Sequence, residues 1–350
     1  MGLPEKPPIC MVIRTYFRAE TLTRVLDSIL SLNYPRELIE VVLSVDPRDI
    51  AALEVAGEFK AKGIKLEIVT LDVNSADRGR NLGIMRCNSD VVAVVDDDVV
   101  LHPETVNVAL RYLRNEKVVA VGFPAITKKP SLGEKLHHWR FLGLKAVEAF
   151  TVMPATFFKR SELLRVGLYR EDMGPPLTIH EDWELGSRIR RHGYKVLVTG
   201  EISMLHKVEE GSSENSSITT PSHRPSIPAR VLRGFTNYFK AYVNKHWWSF
   251  FEVLKVSPLS QLLEYIAYYL LPLTALALLV INPVWRLLLI TAVLTYIELN
   301  SFVRGYYRVL CLKERVAYPL LLTLVRVIRA YLALVGYLYN KVWIKRRTRG

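Results

Sequence analysis

The chain has 350 residues, half of them hydrophobic, and a formal net charge of +13. This length suggests one or two domains, and the apolar content is high for a wholly soluble protein. The excess positive charge belongs to residues 221–350, whereas residues 1–220 are nearly balanced. Because the basic residues accompany long apolar runs, they favour anionic lipid headgroups as partners, and we expect no nucleic-acid binding.

The cysteines and residues 1–8 indicate the cellular compartment in which the N-terminal domain is expected. Cys10, Cys87 and Cys311 form no CxxC pair and no even set, which argues against a disulfide framework or a zinc cluster. Residues 1–8 hold no apolar signal region, and Lys6 removes the myristoylation pattern. We therefore expect the N-terminal domain to stay in the cytoplasm.

Short apolar runs alternate with amphipathic stretches from residue 9 to about residue 125. This βαβα rhythm with apolar strands predicts a mostly parallel sheet that is buried on both faces. Predicted strands cover residues 9–13, 40–44, 65–71, 91–95 and 118–123, and predicted helices cover residues 19–32, 50–62, 80–87 and 103–115.

The second half of the chain changes character twice. Residues 208–228 are polar and predict a linker, either an inert hinge or a gate that closes over the active site. Residues 229–257 mix basic and aromatic side chains, which is typical of amphipathic helices at a membrane interface.

Three apolar runs follow, at residues 265–281, 287–303 and 316–339. Their lengths predict about three transmembrane helices within residues 258–350. A third span would place the basic residues 341–349 outside, against the positive-inside rule, and a re-entrant or interfacial third helix removes that conflict. We thus expect a sheet domain over residues 1–228, interface helices over 229–257 and a transmembrane domain over 258–350, in an integral protein of the cell membrane.

The clearest chemical signal is the run Asp96-Asp97-Asp98 after the valine-rich strand at residues 91–95. Ligands bind at the carboxyl ends of parallel strands, and carboxylate oxygens suit Mn²⁺ or Mg²⁺ that bridges to substrate phosphates. A solvated acidic turn is the alternative. The alternation of side chains along a strand predicts that Asp96 and Asp98 address one metal ion while Asp97 faces elsewhere.

These aspartates resemble the DxD motif of the family-2 glycosyltransferases, which have the GT-A fold. Other segments resemble further motifs of that family, in the same order, across residues 8–206: residues 13–18, Asp46, residues 77–81, residues 154–167 and residues 180–194. Two departures are that Val45 stands where the family often has a second aspartate and that the Gln-x-x-Arg-Trp motif of processive synthases is absent. The resemblance implies a Rossmann-like GT-A domain that binds a nucleotide sugar.

The resemblance also implies roles for individual residues. Asp182 matches the base that deprotonates an acceptor hydroxyl, and Asp46 matches the aspartate that binds base and ribose. His206 is expected as a metal ligand beside Asp96 and Asp98, and a structural histidine is the alternative. Nucleotide-sugar binding is assigned to Thr15, Tyr16, Arg18, Asp46, Arg78, Arg80, Asp96 and Asp97.

Some of these assignments have structural alternatives. Arg78 and Arg80 suit a diphosphate through their planar guanidinium groups, or they are surface arginines. Tyr16 stacks on the nucleotide base, or it is a packed tyrosine. The spacing of Thr178 and Glu181 predicts a capping box at the start of a helix, which gives Glu181 a structural role.

Within the family, the arrangement resembles archaeal dolichyl-phosphate mannosyltransferases that use GDP-mannose, with a reduced membrane part like that of cellulose synthases. This implies inverting transfer of mannose, with Mn²⁺ or Mg²⁺, to dolichyl phosphate or to an acceptor linked to it. One alternative is a hexosyltransferase that extends a lipid-linked oligosaccharide from another nucleotide sugar. An inactive, membrane-anchored scaffold that binds sugar nucleotides is an alternative of another class.

Arg326 and Arg329 lie inside the last apolar run, where charge is costly. Their spacing of three puts them on one face of a helix. We expect them to contact the phosphate of a polyprenyl or dolichyl phosphate acceptor, and snorkelling or helix packing is the alternative.

Overall fold

The computed structural model describes residues 3–71, 73–128, 130, 132–173, 180–206, 247–257, 259–277, 283–310 and 312–339. The chain divides into two compact units, Met1–Val208 and Glu209–Gly350. The linker predicted at residues 208–228 and most of the predicted interface helices, residues 229–246, lie outside the described residues.

The first unit is built on two sheets. Its strands are β1 (Ile9–Arg14), β2 (Ile39–Val45), β3 (Lys65–Thr70), β4 (Val91–Asp96), β5 (Val99–Val100), β6 (Val118–Phe123), β7 (Ala125–Ile126), β8 (Val147–Glu148), β9 (Ala155–Lys159), β10 (Lys195–Val198) and β11 (Met204–His206). The large sheet has the order β3-β2-β1-β4-β9-β6-β10-β8, and the small one has the order β5-β11-β7.

Helices cover the large sheet. They are α1 (Ala19–Leu30), α2 (Ile50–Ala61), α3 (Ala76–Arg86), α4 (Thr105–Leu113), α5 (Leu132–His137), α6 (Arg160–Val166) and α7 (Glu181–Arg191). The five strands predicted up to residue 123 are confirmed, with bounds that differ by one residue at most. Helix α3 begins four residues earlier than predicted, because the Ser75 side chain caps it by accepting a hydrogen bond from the Arg78 amide at 3.3 Å.

The large sheet is buried on both faces, as predicted. Along β1, Met11 and Ile13 belong to the apolar core on one face, and Cys10 and Val12 belong to the core on the other. The sheet also holds a strand outside the predicted βαβα rhythm, because β9 runs antiparallel between β4 and β6. Only the family resemblance indicated a strand there.

Helix α3 packs directly on β1. A side chain at Gly83 would place its Cβ 2.3 Å from Val12 Cγ1, so only glycine allows this approach. Cys87, which caps α3, forms a disulfide with Cys10 of β1, across 77 residues of sequence. The expectation of no disulfide framework is therefore wrong for one bridge, because the spacing of cysteines in the sequence does not reveal that the end of a helix packs against a distant strand.

Arg188 of α7 joins that helix to the end of α6. Its guanidinium makes two parallel hydrogen bonds to Glu184, both at 2.8 Å. It also donates to the carbonyl oxygens of Val166, Gly167 and Leu168 at 2.6–2.9 Å. Because the last carbonyls of a helix have no partner within it, Arg188 satisfies the C-terminus of α6 and neutralises a buried carboxylate.

The second unit contains α8 (Trp247–Val256), α9 (Leu259–Ala277), α10 (Pro283–Val303) and α11 (Leu312–Tyr339). Among the described residues, none of the helices combines the length with the apolar character needed to cross a bilayer. Charged residues interrupt two of the apolar runs, with Glu298 in α10 and with Arg326 and Arg329 in α11, whereas Glu264 of α9 lies just before the first run.

Replacing Arg188 by Met should lower the free energy of unfolding by about 3–5 kcal/mol, since Glu184 then stays buried without its partner. Urea denaturation of the full chain measures the change. Arg165→Met is the matched control, because Arg165 is exposed and contacts only Tyr194 among the described residues. It should change stability by less than about 1 kcal/mol, and equal losses in both variants would contradict the role given to Arg188.

Candidate active site

Several of the site residues predicted in the first unit gather at one edge of the large sheet. Strands β1, β2 and β4 are parallel neighbours, so the segments that follow them lie side by side. Residues 15–18 follow β1, Asp46 follows β2, and Asp96 ends β4 in register with Arg14. This edge is where ligands bind in parallel α/β sheets.

The three aspartates do not alternate as predicted. Strand β4 ends at Asp96, and Asp97 and Asp98 form a turn before β5, so the two-residue period of a strand stops there. Arg18 Nη1 lies 3.2 Å from a carboxylate oxygen of both Asp97 and Asp98. Asp96 instead accepts a hydrogen bond from Arg80 Nη2 at 2.9 Å. The turn therefore directs Asp97 and Asp98 to one arginine and Asp96 to another.

Asp97 is the most enclosed of the three. Burial raises the pKa of its carboxyl group, although the nearby Arg18 opposes the rise. Arg18 itself is half exposed, with 54% of its side chain accessible. The positive charge beside the acidic turn is therefore on a side chain that solvent and a ligand can reach.

His206 lies beside Asp98, as the metal prediction requires. It ends β11, which pairs antiparallel with β5 and sets His206 opposite Val99. His206 Nε2 is 3.4 Å from Asp98 Oδ1, and its buried Nδ1 has no hydrogen-bond partner among the described residues. Carboxylate and imidazole side by side are a donor pair that Mn²⁺ accepts.

The predicted metal ligands are only partly brought together. Asp96, Asp98 and His206 do not form a group with three ligand atoms within 4.8 Å of one another. Asp96 is the one set apart, since Arg80 holds its carboxylate. Asp98 and His206 thus fit a divalent cation, and within the described ranges no third carboxylate, imidazole or thiolate ligand is grouped with them.

Sequence analysis missed a second histidine near this pair. His138 Nδ1 accepts a hydrogen bond from the Ala125 amide at 3.3 Å, which fixes the ring. Burial, together with the neighbouring His137 and His206, lowers the pKa of His138 to about 4. His138 is therefore uncharged near neutral pH and does not repel a cation.

Arg80 is surrounded by carboxylates. Besides Asp96, its guanidinium lies 3.3 Å from Asp77 Oδ1 and 3.6 Å from Glu181 Oε1. Burial opposes its charge, but Asp96 and Asp182 more than compensate and raise the pKa of Arg80 well above its usual value. Arg80 thus stays charged and stabilises the acidic side chains around it.

Two further contacts hold this arginine in place. Its guanidinium lies 5.2 Å from the centre of the Tyr169 ring, in cation–π geometry. Asn81, next to Arg80, donates to the Tyr169 carbonyl at 2.8 Å and accepts from the Tyr169 amide at 3.0 Å. The sequence carries no signal for Tyr169, because nothing in its spacing links it to residue 80.

Helix α7 begins at Glu181, so the predicted capping box does not form. Its N-cap is His180, which has a φ of 71° and makes no capping hydrogen bond through its side chain. Glu181 is therefore the first helical residue rather than the third, and Thr178 lies outside the described residues. The carboxylate of Glu181 faces Arg80 instead.

Asp182, the predicted base, belongs to the same group. Burial and the adjacent Glu181 raise the pKa of its carboxyl group well above the usual range, and Arg80 partly opposes this. Burial likewise raises the pKa of Glu181. A carboxyl group with a raised pKa is suited to proton exchange with an acceptor near neutral pH.

Asp46, predicted to bind base and ribose, is already engaged. Arg48 donates to it from Nε at 2.8 Å and from Nη2 at 2.6 Å, and these hydrogen bonds lower the pKa of Asp46 to about 2. Asp49 caps α2 and accepts a hydrogen bond from the Phe17 amide at 2.5 Å. The segments after β1 and β2 are therefore tied together.

The remaining residues predicted to contact the nucleotide differ in how deeply they are buried. Thr15 is buried, and its amide donates to the Ser44 carbonyl at 3.0 Å. Tyr16 is half-buried, with the Arg14 guanidinium 5.1 Å from its ring centre. Arg78 is exposed on α3 and makes no ion pair within the described part of the chain. Arg78 therefore lies outside the group around Arg80.

The arginines predicted to meet a lipid phosphate are both on α11, in the second unit. Arg326 Nη1 donates to Tyr268 Oη at 2.9 Å and lies 3.3 Å from Glu264. Arg329 is half-buried and, like Arg326, acts electrostatically on Tyr265. The two side chains thus lie in one polar region among the helices.

The raised pKa of the Asp77 carboxyl group can be tested through the pH dependence of stability. It is fully buried, and burial raises its pKa to about 7 from 3.8. Between those values the folded chain binds a proton that the unfolded chain has lost, so folding stability falls by up to about 1.4 kcal/mol for each unit of rising pH. Asp77→Asn should gain stability relative to the wild type across this window and level off above it.

Urea denaturation at a series of pH values measures this difference. Asp90→Asn is the matched control, because Asp90 is exposed, and its stability curve should run parallel to that of the wild type. A difference between Asp77→Asn and the wild type that does not vary with pH would contradict the buried, protonated carboxyl group.

Comparisons with known proteins fit this geometry. The family model "Glycosyltransferase like family 2" matches residues 7–246. A glucosyl-dolichyl phosphate glucuronosyltransferase of Haloferax volcanii is 27% identical over 246 residues, which cover 64% of this chain and 77% of that protein. A poly-β-1,6-N-acetyl-D-glucosamine synthase of Staphylococcus epidermidis is 26% identical over 201 residues, 54% of this chain, and the chain spans only 47% of that relative.

A solved structure shares the fold. A mannosyltransferase from Pyrobaculum calidifontis, in complex with GDP-mannose and Mn²⁺, aligns with 99% of this chain and 90% of its own, with a TM-score of 0.55. Its sequence identity is 16%, so the likeness concerns the fold alone. The family match, in contrast, covers more than half of the chain and includes every acidic residue of the site. The protein therefore belongs to the family-2-like glycosyltransferases.

Proposed function

We propose that the chain is an inverting glycosyltransferase that moves mannose from GDP-mannose to dolichyl phosphate or to an acceptor linked to it, with Mn²⁺ or Mg²⁺. The observation that carries the proposal is the pairing of Asp98 with His206 next to the group around Arg80 and Asp182. The pair of Asp98 and His206 suits a metal-bound diphosphate, and the group around Arg80 and Asp182 suits an acceptor. We place the catalytic domain at the cytoplasmic face of the cell membrane.

The donor side of the site provides positive charge where a diphosphate leaves. A divalent cation held by Asp98 and His206 would neutralise negative charge on the leaving diphosphate. Arg18 already lies at the acidic turn with an exposed side chain, so its planar guanidinium is available to bind a phosphate oxygen pair. Tyr16 follows β1 and Asp46 follows β2, so both lie on the β1 side of the turn, where the nucleoside would lie.

The acceptor decides what Asp182 does. A lipid phosphate is ionised near neutral pH, since its second pKa is about 6. It therefore attacks the anomeric carbon without a base, and Asp182 orients it. A sugar hydroxyl is not ionised, so Asp182 must accept its proton. Arg80 keeps Asp96 and Glu181 in place for either acceptor.

Two relatives support the choice of substrates. The name of the Haloferax protein includes dolichyl phosphate, and 77% of that protein's length aligns with this chain. GDP-mannose and Mn²⁺ are the ligands of the Pyrobaculum structure, whose likeness to this chain is one of fold. Together with the motif resemblance, these matches favour a lipid-linked acceptor and a mannosyl donor.

A second candidate is a hexosyltransferase that extends a lipid-linked glycan from another nucleotide sugar. The Haloferax name specifies a dolichyl phosphate that already bears glucose, which favours a hydroxyl acceptor. The alternative of an inactive scaffold that only binds sugar nucleotides is disfavoured by the intact set of Asp98, Asp182 and His206.

Assaying the full chain with GDP-mannose, Mn²⁺ and dolichyl phosphate tests the proposal, and folded protein without a mannosyl lipid product would overturn it.

The metal assignment predicts that Asp98→Asn and His206→Gln each weaken Mn²⁺ binding by about tenfold or more, since each removes a ligand. Turnover should fall with the loss of the cation and recover in part at high Mn²⁺. Electron paramagnetic resonance of bound Mn²⁺ and transfer kinetics measure the two effects. Asp172→Asn, at an exposed position, should leave both unchanged, and wild-type Mn²⁺ affinity in folded Asp98→Asn would remove Asp98 from the metal site.

Asp182→Asn should distinguish the two acceptor classes. Transfer to a sugar hydroxyl should fall by about 10²–10⁴-fold, because general-base help is lost. Transfer to dolichyl phosphate should fall much less, since its oxygen is already ionised. Single-turnover rates with both acceptors measure the contrast, and a complete loss with both would contradict the argument from acceptor ionisation.

A further inference from the structure

Three side chains that can bind a metal lie at the edge of the large sheet opposite to the candidate active site. Cys10 is the second residue of β1, Glu40 is the second residue of β2, and the two are direct neighbours in the parallel register. Cys87 caps the C-terminus of α3 and belongs to the same apolar core as Cys10. Asp46 and Asp96 lie at the other ends of these parallel strands, so this group is separate from them.

The donor atoms of the three side chains are close together. Both sulfur atoms and one carboxylate oxygen of Glu40 lie within 4.8 Å of one another. The closeness of the two sulfurs reflects their bond, whereas that of Glu40 follows from the pairing of β1 with β2. Within the described ranges, no other three cysteine, histidine, aspartate or glutamate side chains bring ligand atoms so close. The fold thus assembles two sulfur donors and one oxygen donor at one point.

This donor set becomes available when the bridge is reduced. A dithiol gives two electrons and two protons to the bridge, which becomes two thiols while the dithiol is oxidised to a disulfide. Such thiols keep cysteines reduced in the cytosol, and we place this domain at the cytoplasmic face. Cys10 and Cys87 are fully buried, so a reductant reaches them by local opening or before the chain has folded.

The surroundings of Glu40 suit a metal-bound carboxylate. Ser89 donates a hydrogen bond to Glu40 Oε1 at 3.1 Å, and such outer contacts orient a ligand. The Lys65 ammonium lies 3.0 Å from Glu40 Oε2, and 76% of the lysine side chain is accessible. Two thiolates and Glu40 exceed the charge of a divalent cation by one, and Lys65 balances that excess. The balance reduces the cost of enclosing the ions.

A cleft gives a cation access to this carboxylate. Its volume is about 280 Å³, and its lining includes Glu37, Glu40, Lys65, Ser89 and Asp90. Glu37 and Asp90 are exposed, and the lining holds more acidic than basic side chains. The cleft therefore attracts cations, and it has room for a water molecule as a further ligand.

The donors select the cation. Thiolates are soft ligands that favour Zn²⁺, whereas Mg²⁺ and Mn²⁺ favour carboxylates, carbonyl groups and water. Zn²⁺ with three protein ligands commonly takes water as its fourth. A site with two thiolates and one carboxylate is therefore chemically different from the pair of Asp98 and His206, which offers oxygen and nitrogen alone.

We propose that Cys10, Cys87 and Glu40 form a Zn²⁺ site when the bridge is reduced, with water as the fourth ligand. Zinc displaces the protons of both thiols, which pass to solvent. The metal then joins β1 to α3 in place of the bridge, so the two segments stay connected in either redox state. The inference goes beyond the proposed function, since it requires a dithiol reductant and no glycosyl transfer. Sequence spacing gave no signal for this site, because Cys10 and Cys87 lie 77 residues apart.

The test measures metal binding by the full chain, purified without oxygen in a dithiol that is then removed. X-ray absorption of the zinc-loaded, reduced protein should find sulfur neighbours at about 2.3 Å. Co²⁺ in place of zinc should give a thiolate-to-metal charge-transfer band. The oxidised protein should lack this band, and so should any cation at Asp98 and His206, which supply no sulfur.

Matched variants test each ligand. Cys10→Ser should weaken Zn²⁺ binding to the reduced protein by more than about 100-fold, because losing a ligand costs more than losing an outer partner. Cys311→Ser, which removes a thiol elsewhere in the sequence, should leave binding unchanged. Glu40→Gln should weaken binding by about tenfold or more. Glu37→Gln, in the lining of the same cleft but outside the donor group, should not.

Variants are compared only when circular dichroism shows the wild-type helix content, and Glu40→Gln decides if Cys10→Ser does not fold. Zinc should also raise the midpoint of thermal unfolding of the reduced wild type more than that of Cys10→Ser. A folded, reduced protein without the thiolate-to-cobalt band overturns the site. Bands of equal strength in the wild type and Cys10→Ser overturn the role of Cys10, and an unchanged zinc affinity in Glu40→Gln overturns that of Glu40.

Discussion

The charge of Arg80 is the constraint on which the site depends. Asp77, Asp96 and Glu181 all lie within 3.6 Å of its guanidinium, and burying these carboxylates fully or partly would be costly without it. One positive charge cannot neutralise all of them, so burial raises the pKa of Asp77 and of Glu181. Burial thus outweighs the shared cation, and it raises the pKa of Asp77 to about 7.

The fold creates this arrangement by ending parallel strands at one edge. Strand β4 delivers Asp96 to Arg80, and the turn that follows delivers Asp98 to His206. Because the direction of the chain changes between these two aspartates, a single acidic run contacts both Arg80 and His206. The short strand β11 is needed for this, since its pairing with β5 brings a distant histidine to the turn.

The hydrophobic pattern predicted the first five strands of the large sheet, because short apolar runs bounded by polar residues are typical of buried strands. It did not predict β9, whose antiparallel place between β4 and β6 depends on long-range pairing. The aspartates, Arg80 and His206 were found by motif. The grouping of Asp98 with His206 apart from Asp96 was not predictable, because the alternation rule holds only inside a strand. Tyr169 and His138 reach the site by packing alone.

The bridge between Cys10 and Cys87 has a consequence for local opening. It joins β1, which leads to Thr15 and Arg18, to α3, which carries Arg80. Segments of a protein open individually at a free energy below that of global unfolding, and a cross-link removes the openings in which its two ends separate. The segment of Thr15 and Arg18 and the acidic group around Arg80 are therefore held in one cooperative segment. Amide hydrogens of β1 and α3 should exchange together, and reducing the bridge should let α3 exchange first.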